Sequence, residues 1–127
     1  MKQLMLVSLA GAIGVAARWK LSGLVLQYTP DWRFPVATFI VNVAGCLVAG
    51  ALAGLVIKLN LFGPDARLVL FTGLLGGFTT FSAFGVESVY LLRRAEYAVA
   101  MSYITLSVAG GIGGLWLALW LVPGKSG

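Results

Sequence analysis

The sequence predicts an all-α integral membrane protein, with four transmembrane helices in a single domain covering residues 1–127. Of its 127 residues, 60% are hydrophobic and 10% are charged, whereas a soluble domain carries about a quarter charged residues. No charged residue occurs in the stretches 34–57, 68–86 and 97–124. Each stretch reaches or nearly reaches the roughly 20 residues that a helix needs to cross the hydrocarbon core. We therefore expect lipid to surround most of the chain.

The charged residues and turn residues divide the chain into four helices, which we place at 4–28, 33–58, 66–93 and 96–122. Arg18 and Lys20 interrupt the first helix. A cleavable signal peptide is an alternative there, because Lys2 precedes an apolar run. Eight apolar or neutral residues follow the interruption, which favours a full span. Pro123 follows the last helix, where a proline stop is expected.

Basic residues are evenly divided between the two sides of the predicted bundle. Four spans put both termini and the link between the second and third helices on one side. On that side the basic residues are Lys2, Lys58, Arg67 and Lys125, and on the other they are Lys20, Arg33, Arg93 and Arg94, with Arg18 deeper inside the bundle. An even balance gives the positive-inside rule no direction. The chain is therefore expected to insert in both orientations, which makes an antiparallel homodimer available.

The residue types that usually carry enzyme chemistry are scarce. Histidine is absent and Cys46 is the single cysteine, which removes disulfide frameworks, the usual zinc and iron sites and the commonest general base. Of the four acidic residues, only Glu87 falls inside a predicted span rather than at its first residue or in a link. We therefore expect a protein that is not an enzyme.

Polar residues follow one face of the second helix. Thr38, Asn42 and Cys46 are spaced four apart, so they share a face. Polar groups inside a membrane are expensive and indicate function by default. Asn42 could join helices together, or it could offer its amide NH₂ group to a passing anion.

The third helix contains a stretch that we expect to break it near the bilayer midplane. Gly76 and Gly77 each cost roughly 1 kcal/mol in a helix, and the β-branched Thr79 and Thr80 follow closely. Irregular backbone at membrane depth must be buried or line a cavity. In an antiparallel dimer the two-fold axis lies in the membrane plane, so the breaks of two copies can meet and their free carbonyls could hold a cation.

Two aromatic residues follow the expected break. Phe81 and Phe84 share a helix face, with Glu87 one turn further along. Such a pair could face lipid or pack inside the bundle. Alternatively, the positive edges of the rings could face an anion. The neighbouring hydroxyls of Thr80 and Ser82 favour the second interpretation, because a lipid-facing patch does not need them.

Three further polar residues are candidates with open alternatives. Tyr103 and Ser107 are four apart on the fourth helix and form a short hydroxyl stripe, although such hydroxyls often bond to their own helix backbone. Arg18 could reach to the interface or could sit in a wet vestibule that attracts anions. Glu87 lies near a helix end, so a pore-end position fits it better than proton transfer.

Three blocks of sequence resemble the Fluc fluoride channels, the CrcB-type family. The first is Gly11-Ala12-Ile13-Gly14 with Arg18, and the second is Thr38-Phe39-Ile40-Val41-Asn42 with Gly45. The third, and the most specific, is Gly76-Gly77-Phe78-Thr79-Thr80-Phe81-Ser82-Ala83-Phe84. Together with the size, the four spans and the charge balance, the resemblance covers nearly the whole chain.

The resemblance implies an antiparallel, dual-topology dimer in the cell inner (plasma) membrane, with two fluoride pores lined by both subunits. Asn42 would be the pore asparagine, and the ring edges of Phe81 and Phe84 would face fluoride. Arg18 would lie in a vestibule. The polar tracks would contain Thr38, Thr80, Ser82, Tyr103 and Ser107. Backbone carbonyls of Gly76 and Thr79 would hold a structural Na⁺ at the dimer interface.

Other classes of function remain as alternatives. A proton-coupled exporter similar to the small multidrug resistance proteins is also four-helical and dual-topology, but it needs an acid deep in the first helix, where this chain has Arg18. A membrane scaffold without transport would tolerate changes of Asn42, Phe81 and Phe84. An intramembrane enzyme lacks a base and a metal site.

Overall fold

The structure is a computed structural model that describes residues 1–125, and it contains four helical segments long and apolar enough to cross a membrane. The first two are α1 (Lys2–Tyr28) and α2 (Val36–Leu59). The third segment, Pro64–Arg93, comprises α3 (Pro64–Arg67), a π-helix (Leu68–Leu75), α4 (Gly76–Phe78) and α5 (Phe81–Arg93). The fourth is α6 (Tyr97–Leu121). The predicted all-α class with four candidate spans is confirmed.

The largest difference in helix boundaries is at the start of α2. The sequence placed this start at residue 33, whereas α2 begins at Val36, directly after Pro35. Proline disfavours the helical region for the residue before it, so Phe34 cannot continue a helix into Pro35. The prediction was wrong here because it ignored that restriction.

Two side-chain contacts hold both chain ends beside the link between α2 and α3. The Gln3 side-chain amide donates to Asp65 Oδ1 at 2.9 Å. The Lys58 ammonium, in the last turn of α2, donates to the carbonyls of Trp120 (3.0 Å) and Val122 (2.8 Å). A cation is favourable at these carbonyls because the C-terminal end of a helix is partially negative. The start of α1 and the end of α6 therefore lie at the same end of the bundle.

Most large apolar side chains point outwards. Among the described residues, Tyr103 and Val41 are the largest side chains that are fully buried. Ile112, Trp116 and Trp120 on α6 are each more than 60% exposed. An apolar outer surface is what a bundle in hydrocarbon requires, so the exposed faces fit a lipid environment.

Glycines bring the backbones of neighbouring helices into contact. A Cβ on Gly14 would lie 2.2 Å from the Leu74 carbonyl oxygen, and one on Gly77 would lie 2.3 Å from the Gly11 carbonyl oxygen. These contacts fix α1 against the π-helix and α4. Small residues at helix interfaces are the usual means of close approach in membranes.

The third segment is interrupted at two residues between α4 and α5. Thr79 (φ −85°, ψ 156°) and Thr80 (φ −146°, ψ 116°) have extended backbones. Gly76 and Gly77, which the sequence suggested as the weakest helical positions, belong to α4. Gly77 packs against Gly11 of α1, and the two β-branched threonines form the interruption.

Candidate functional site

The interruption is joined to α2 by a reciprocal pair of hydrogen bonds. Asn42 Nδ2 donates to the Thr80 carbonyl at 2.9 Å, and the Thr80 N–H donates to Asn42 Oδ1 at 2.8 Å. A backbone that leaves the helical conformation loses its regular partners, and Asn42 replaces two of them. Since the amide has two N–H donors, one donor of Asn42 remains for a ligand.

The two threonine hydroxyls satisfy the helix ends on either side. Thr79 Oγ1 donates to the Leu75 carbonyl at 2.9 Å. The Ala83 N–H donates to Thr80 Oγ1 at 3.2 Å, so Thr80 is the N-cap of α5. Caps of this kind stabilise a helix by roughly 1 kcal/mol. The interruption is therefore an ordered conformation with assigned partners.

An open cavity of about 260 Å³, which we call the phenylalanine cavity, lies beside this interruption. It is lined by Asn42, Cys46, Thr79, Thr80, Phe81, Phe84, Ser107 and Val108. Ser107 Oγ is buried and has no hydrogen-bond partner within residues 1–125. A buried hydroxyl without a partner is uncommon, and this one belongs to a residue that lines the cavity.

The two phenylalanines have different surroundings. Phe84 lies inside the bundle, with its ring centroid 5.1 Å from that of Tyr103. Phe81 is 83% exposed, and its ring centroid lies 5.7 Å from that of Phe84. The chain alone therefore covers only one of the two rings.

A second polar cluster surrounds Glu87. Thr38 Oγ1 donates to Glu87 Oε1 at 2.6 Å, and the Tyr103 hydroxyl donates to Glu87 Oε2 at 3.4 Å. Tyr103 is fully buried. The expected stripe of Tyr103 and Ser107 is thus divided, because the Tyr103 hydroxyl turns to Glu87 whereas Ser107 lines the phenylalanine cavity.

Arg18 contacts the third segment from the side of α1. Its Nε–H donates to the Gly77 carbonyl at 3.2 Å. It also lines a second open cavity of about 240 Å³, the arginine cavity, together with Thr38 and Thr80. The Arg18 side chain therefore extends towards the third segment.

A third cavity, of about 330 Å³, lies at the α1–α2 link and is called the mouth cavity. Its lining includes Arg33, Thr38 and Glu87. Thr38 lines both the mouth cavity and the arginine cavity, and Thr80 lines both the arginine cavity and the phenylalanine cavity. Each of these two threonines thus lines two of the three cavities.

The backbone at the interruption has the chemistry that a hard monovalent cation needs. No hydrogen bond within residues 1–125 ends on the Thr79 carbonyl. Gly76 is exposed, and a Cβ on it would meet only the Phe71 carbonyl oxygen, at 3.6 Å. Hard cations prefer oxygen ligands, including backbone carbonyls. Gly76 and Thr79 fit a sodium site, although one chain supplies few ligands.

Comparison with known proteins identifies a family whose matched region covers these residues. The family described as "CrcB-like protein, Camphor Resistance (CrcB)" matches residues 5–119, which include all the candidate site residues. The chain belongs to the CrcB-like family. A relative from Methylobacillus flagellatus, named "Fluoride-specific ion channel FluC", is 57% identical over 96% of this chain and 95% of its own length.

Two further relatives of the CrcB-like family carry the same name. One from Nitratidesulfovibrio vulgaris is 42% identical, and one from Flavobacterium psychrophilum is 40% identical, each over 94% of this chain and 95% of the relative. The relatives are named as ion channels, and the family is not enzymatic. The resemblance drawn from the three sequence blocks is therefore confirmed, as is the expectation that the protein is not an enzyme.

The structure brings together most of the expected site residues, but not all of them. Ser82 is exposed and does not line the phenylalanine cavity, although its Oγ lies 3.5 Å from Thr80 Oγ1. The contact of Arg18 with Gly77 was missed by sequence reasoning. A signal was available, because Arg18 lies one helical turn after Gly14 and so shares the face that packs against α4.

Proposed function

We propose that this protein is a fluoride-selective passive channel that lets fluoride leave the cell across the inner membrane. The observation that carries the proposal is the phenylalanine cavity, which Asn42, Phe81, Phe84 and Ser107 line together, with the Ser107 hydroxyl unpartnered within residues 1–125. Relatives of similar length named as fluoride-specific channels support the same conclusion.

The chemistry of these side chains suits a small anion. Fluoride is strongly hydrated, so a pore must replace its water with hydrogen-bond donors and positive dipoles. Ser107 supplies an O–H donor and Asn42 has one N–H donor left after its bond to Thr80. The positive ring edges of Phe81 and Phe84 can complete the shell. Chloride is larger and gains less from the same donors in a narrow passage.

The row of cavities suggests the course of the anion. Fluoride would pass between the mouth cavity and the phenylalanine cavity by way of Thr38 and Thr80, each of which lines two neighbouring cavities. The arginine cavity, which Arg18 lines, would be the vestibule between them. The Glu87 carboxylate would lie at the pore end, held by Thr38 and Tyr103. Ser82 would extend the hydroxyl track on the exposed side of α5.

The working unit in this proposal is an antiparallel homodimer of two oppositely inserted copies. The even charge balance removes a topological preference. Phe81, the ring that the chain leaves 83% exposed, would be covered by the second copy. Each of the two pores would then take residues from both subunits, and the interruptions of the two third segments would meet near the bilayer midplane.

The proposed dimer also explains the open carbonyls of the interruption. Gly76 and Thr79 from both copies would together provide four oxygen ligands to a structural Na⁺ on the two-fold axis. A bound cation would neutralise the carbonyl dipoles that face each other there. This number of oxygens suits a hard cation, whereas one chain alone supplies only two.

Ion efflux from liposomes tests the function. Purified protein is reconstituted into liposomes loaded with potassium fluoride or potassium chloride, and efflux is started with a potassium ionophore and followed with ion-selective electrodes. We expect rapid loss of fluoride and retention of chloride. Retention of both anions by liposomes that contain dimeric protein would refute the proposal.

A further inference from the structure

We propose that Arg18 is a positioning residue, whose Nε–H fixes the conformation of the interrupted third segment by capping the Gly77 carbonyl. The proposal rests on the proposed function for its effect on fluoride flux. It assigns Arg18 a role that differs from electrostatic attraction of anions, because the role depends on one hydrogen bond at a defined atom.

The place of Gly77 makes its carbonyl a group that needs a partner. α4 ends at Phe78, and the last carbonyls of a helix lack an N–H donor from the following turn. The nearby Leu75 carbonyl is satisfied by both the N–H and the hydroxyl of Thr79. Arg18 Nε supplies a donor to Gly77 at 3.2 Å, and its positive charge suits the C-terminal end of a helix.

The packing of α1 places Arg18 at this carbonyl. Gly14, one turn earlier, lies so close to the third segment that a Cβ would meet the Phe78 nitrogen at 2.9 Å. The Gly11 backbone, a further turn earlier, lies against Gly77, where a Cβ on Gly77 would meet the Gly11 carbonyl carbon at 3.1 Å. Gly14 and Gly77 therefore set the distance between the helices, and Arg18 lies one turn after Gly14 on that face.

Arg18 and Asn42 hold opposite sides of the same interruption. Arg18 donates from α1 to the Gly77 carbonyl, two residues before Thr79. Asn42 bonds from α2 to both the N–H and the carbonyl of Thr80. The intervening Thr79 carbonyl has no hydrogen bond within residues 1–125. Its direction therefore depends on the two neighbouring contacts, and so does the placing of Phe81 at the start of α5.

Three substitutions separate positioning from charge. In Arg18→Gln the side-chain NH₂ is attached to Cδ, as Nε is in arginine, so the donor is kept and the charge is lost. In Arg18→Lys the charge is kept, and a methylene group takes the place of Nε. In Arg18→Met both are lost. Positioning predicts that the Gln variant resembles the wild type, whereas anion attraction predicts that the Lys variant does.

A direct readout of the contact comes from the Gly77 carbonyl itself. Gly77-Phe78 is the only Gly-Phe pair in the sequence, so labelling glycine with carbonyl ¹³C and phenylalanine with ¹⁵N isolates one signal by NMR in lipid bilayers. We expect the Gly77 resonance of Arg18→Gln to stay near the wild-type position. It should move upfield in Arg18→Lys and in Arg18→Met, because the carbonyl loses its donor. If the Met variant does not fold, the Gln and Lys variants decide alone.

Fluoride flux through liposomes provides the second readout. At saturating fluoride we expect the rate to fall by about tenfold or more in Arg18→Lys, the size of one lost hydrogen bond to a charged group, and to fall less in Arg18→Gln. If Arg18 acted instead as a charge that attracts anions, its loss would lower the flux mainly at low fluoride concentration, and added salt would weaken the effect.

The proposal would be overturned if Arg18→Lys kept the wild-type Gly77 resonance and fluoride flux while Arg18→Gln lost both. It would also be overturned if the Gly77 resonance stayed unchanged in all three variants. If the wild-type protein carries no fluoride, the proposed function fails. The Gly77 resonance then decides the positioning role separately.

Discussion

Asn42 and Thr80 exchange two hydrogen bonds, of 2.9 Å and 2.8 Å, across the interruption of the third segment. The side chain of a residue on α2 thereby takes the place of two lost backbone partners. The same amide borders the phenylalanine cavity. Asn42 therefore combines a structural contact with a place in the proposed conduction path, and its substitution should affect both.

We predict that Asn42→Ala lowers stability and abolishes fluoride efflux. The substitution leaves the Thr80 N–H and carbonyl without partners, and each unsatisfied buried group costs about 1–3 kcal/mol. Thermal unfolding in detergent measures the loss of stability. The matched control is Cys46→Ala, one turn along the same face, where no hydrogen bond is removed. Equal unfolding temperatures for the two variants would contradict the role given to Asn42.

Ser107→Ala should separate function from stability. Because Ser107 Oγ is buried without a partner, its removal relieves an unsatisfied group, and the unfolding temperature should stay the same or rise. Fluoride efflux should fall by about tenfold, the value of one hydrogen bond to an anion. Thr105→Ala, on the exposed part of α6, serves as control for both measurements. A Ser107→Ala variant with normal efflux would remove the hydroxyl from the proposed path.

The two bonds to Glu87 should differ in strength. Thr38 Oγ1 lies at 2.6 Å from the carboxylate, whereas the Tyr103 hydroxyl lies at 3.4 Å, beyond the usual range for an O–H donor. We predict that Thr38→Val lowers the unfolding temperature more than Tyr103→Phe, since each substitution removes a hydroxyl and nearly preserves shape. The opposite order would show that the Tyr103 bond is the stronger one.

Phe81 and Phe84 should respond differently to replacement by leucine. Phe84 packs on Tyr103, so Phe84→Leu should destabilise even an isolated subunit, whereas Phe81→Leu should not because that ring is 83% exposed. Both should reduce fluoride efflux, since leucine has no positive ring edge. Unfolding in detergent and efflux from liposomes check the two statements. Undiminished efflux in both variants would exclude the rings from recognition of the anion.

Close contact between α2 and α6 gives a prediction that is independent of transport. A Cβ on Gly50 would lie 2.1 Å from the Leu115 carbonyl oxygen, whereas one on Gly113 would meet nothing within 4 Å. Gly50→Ala should therefore separate the helices and lower the unfolding temperature. Gly113→Ala should leave it equal or raise it, because alanine favours a helix by about 1 kcal/mol over glycine. A neutral Gly50→Ala would show that the two helices can move apart without cost.

The four spans and the residues around the third-segment interruption were accessible from the sequence, for definite physical reasons. Length and apolarity alone define the spans. Intramembrane polar groups are few, so Asn42, Thr80 and Ser107 stand out against the apolar background. The three-block resemblance added the assignment of Phe81 and Phe84, which spacing alone leaves undecided between packing and recognition.

Other features depend on contacts between helices and could not be predicted from spacing. The Tyr103 hydroxyl donates to Glu87 because α5 packs beside α6. Arg18 reaches Gly77 because the glycines of α1 pack closely against the third segment. The π-helix at Leu68–Leu75 has no distinctive sequence pattern. The packing of Gly77 against Gly11 was missed because the helix propensity of the two glycines was considered without their neighbours.

The most direct test of the central claim is the reversal potential in planar bilayers that contain the purified protein. Fluoride is given a gradient in one direction, with chloride and protons given opposing gradients. A passive fluoride channel predicts a reversal potential at the fluoride equilibrium potential, unchanged when the pH gradient is inverted. A reversal potential that follows chloride would contradict the claimed selectivity, and one that moves with the pH gradient would show coupled transport instead of a channel.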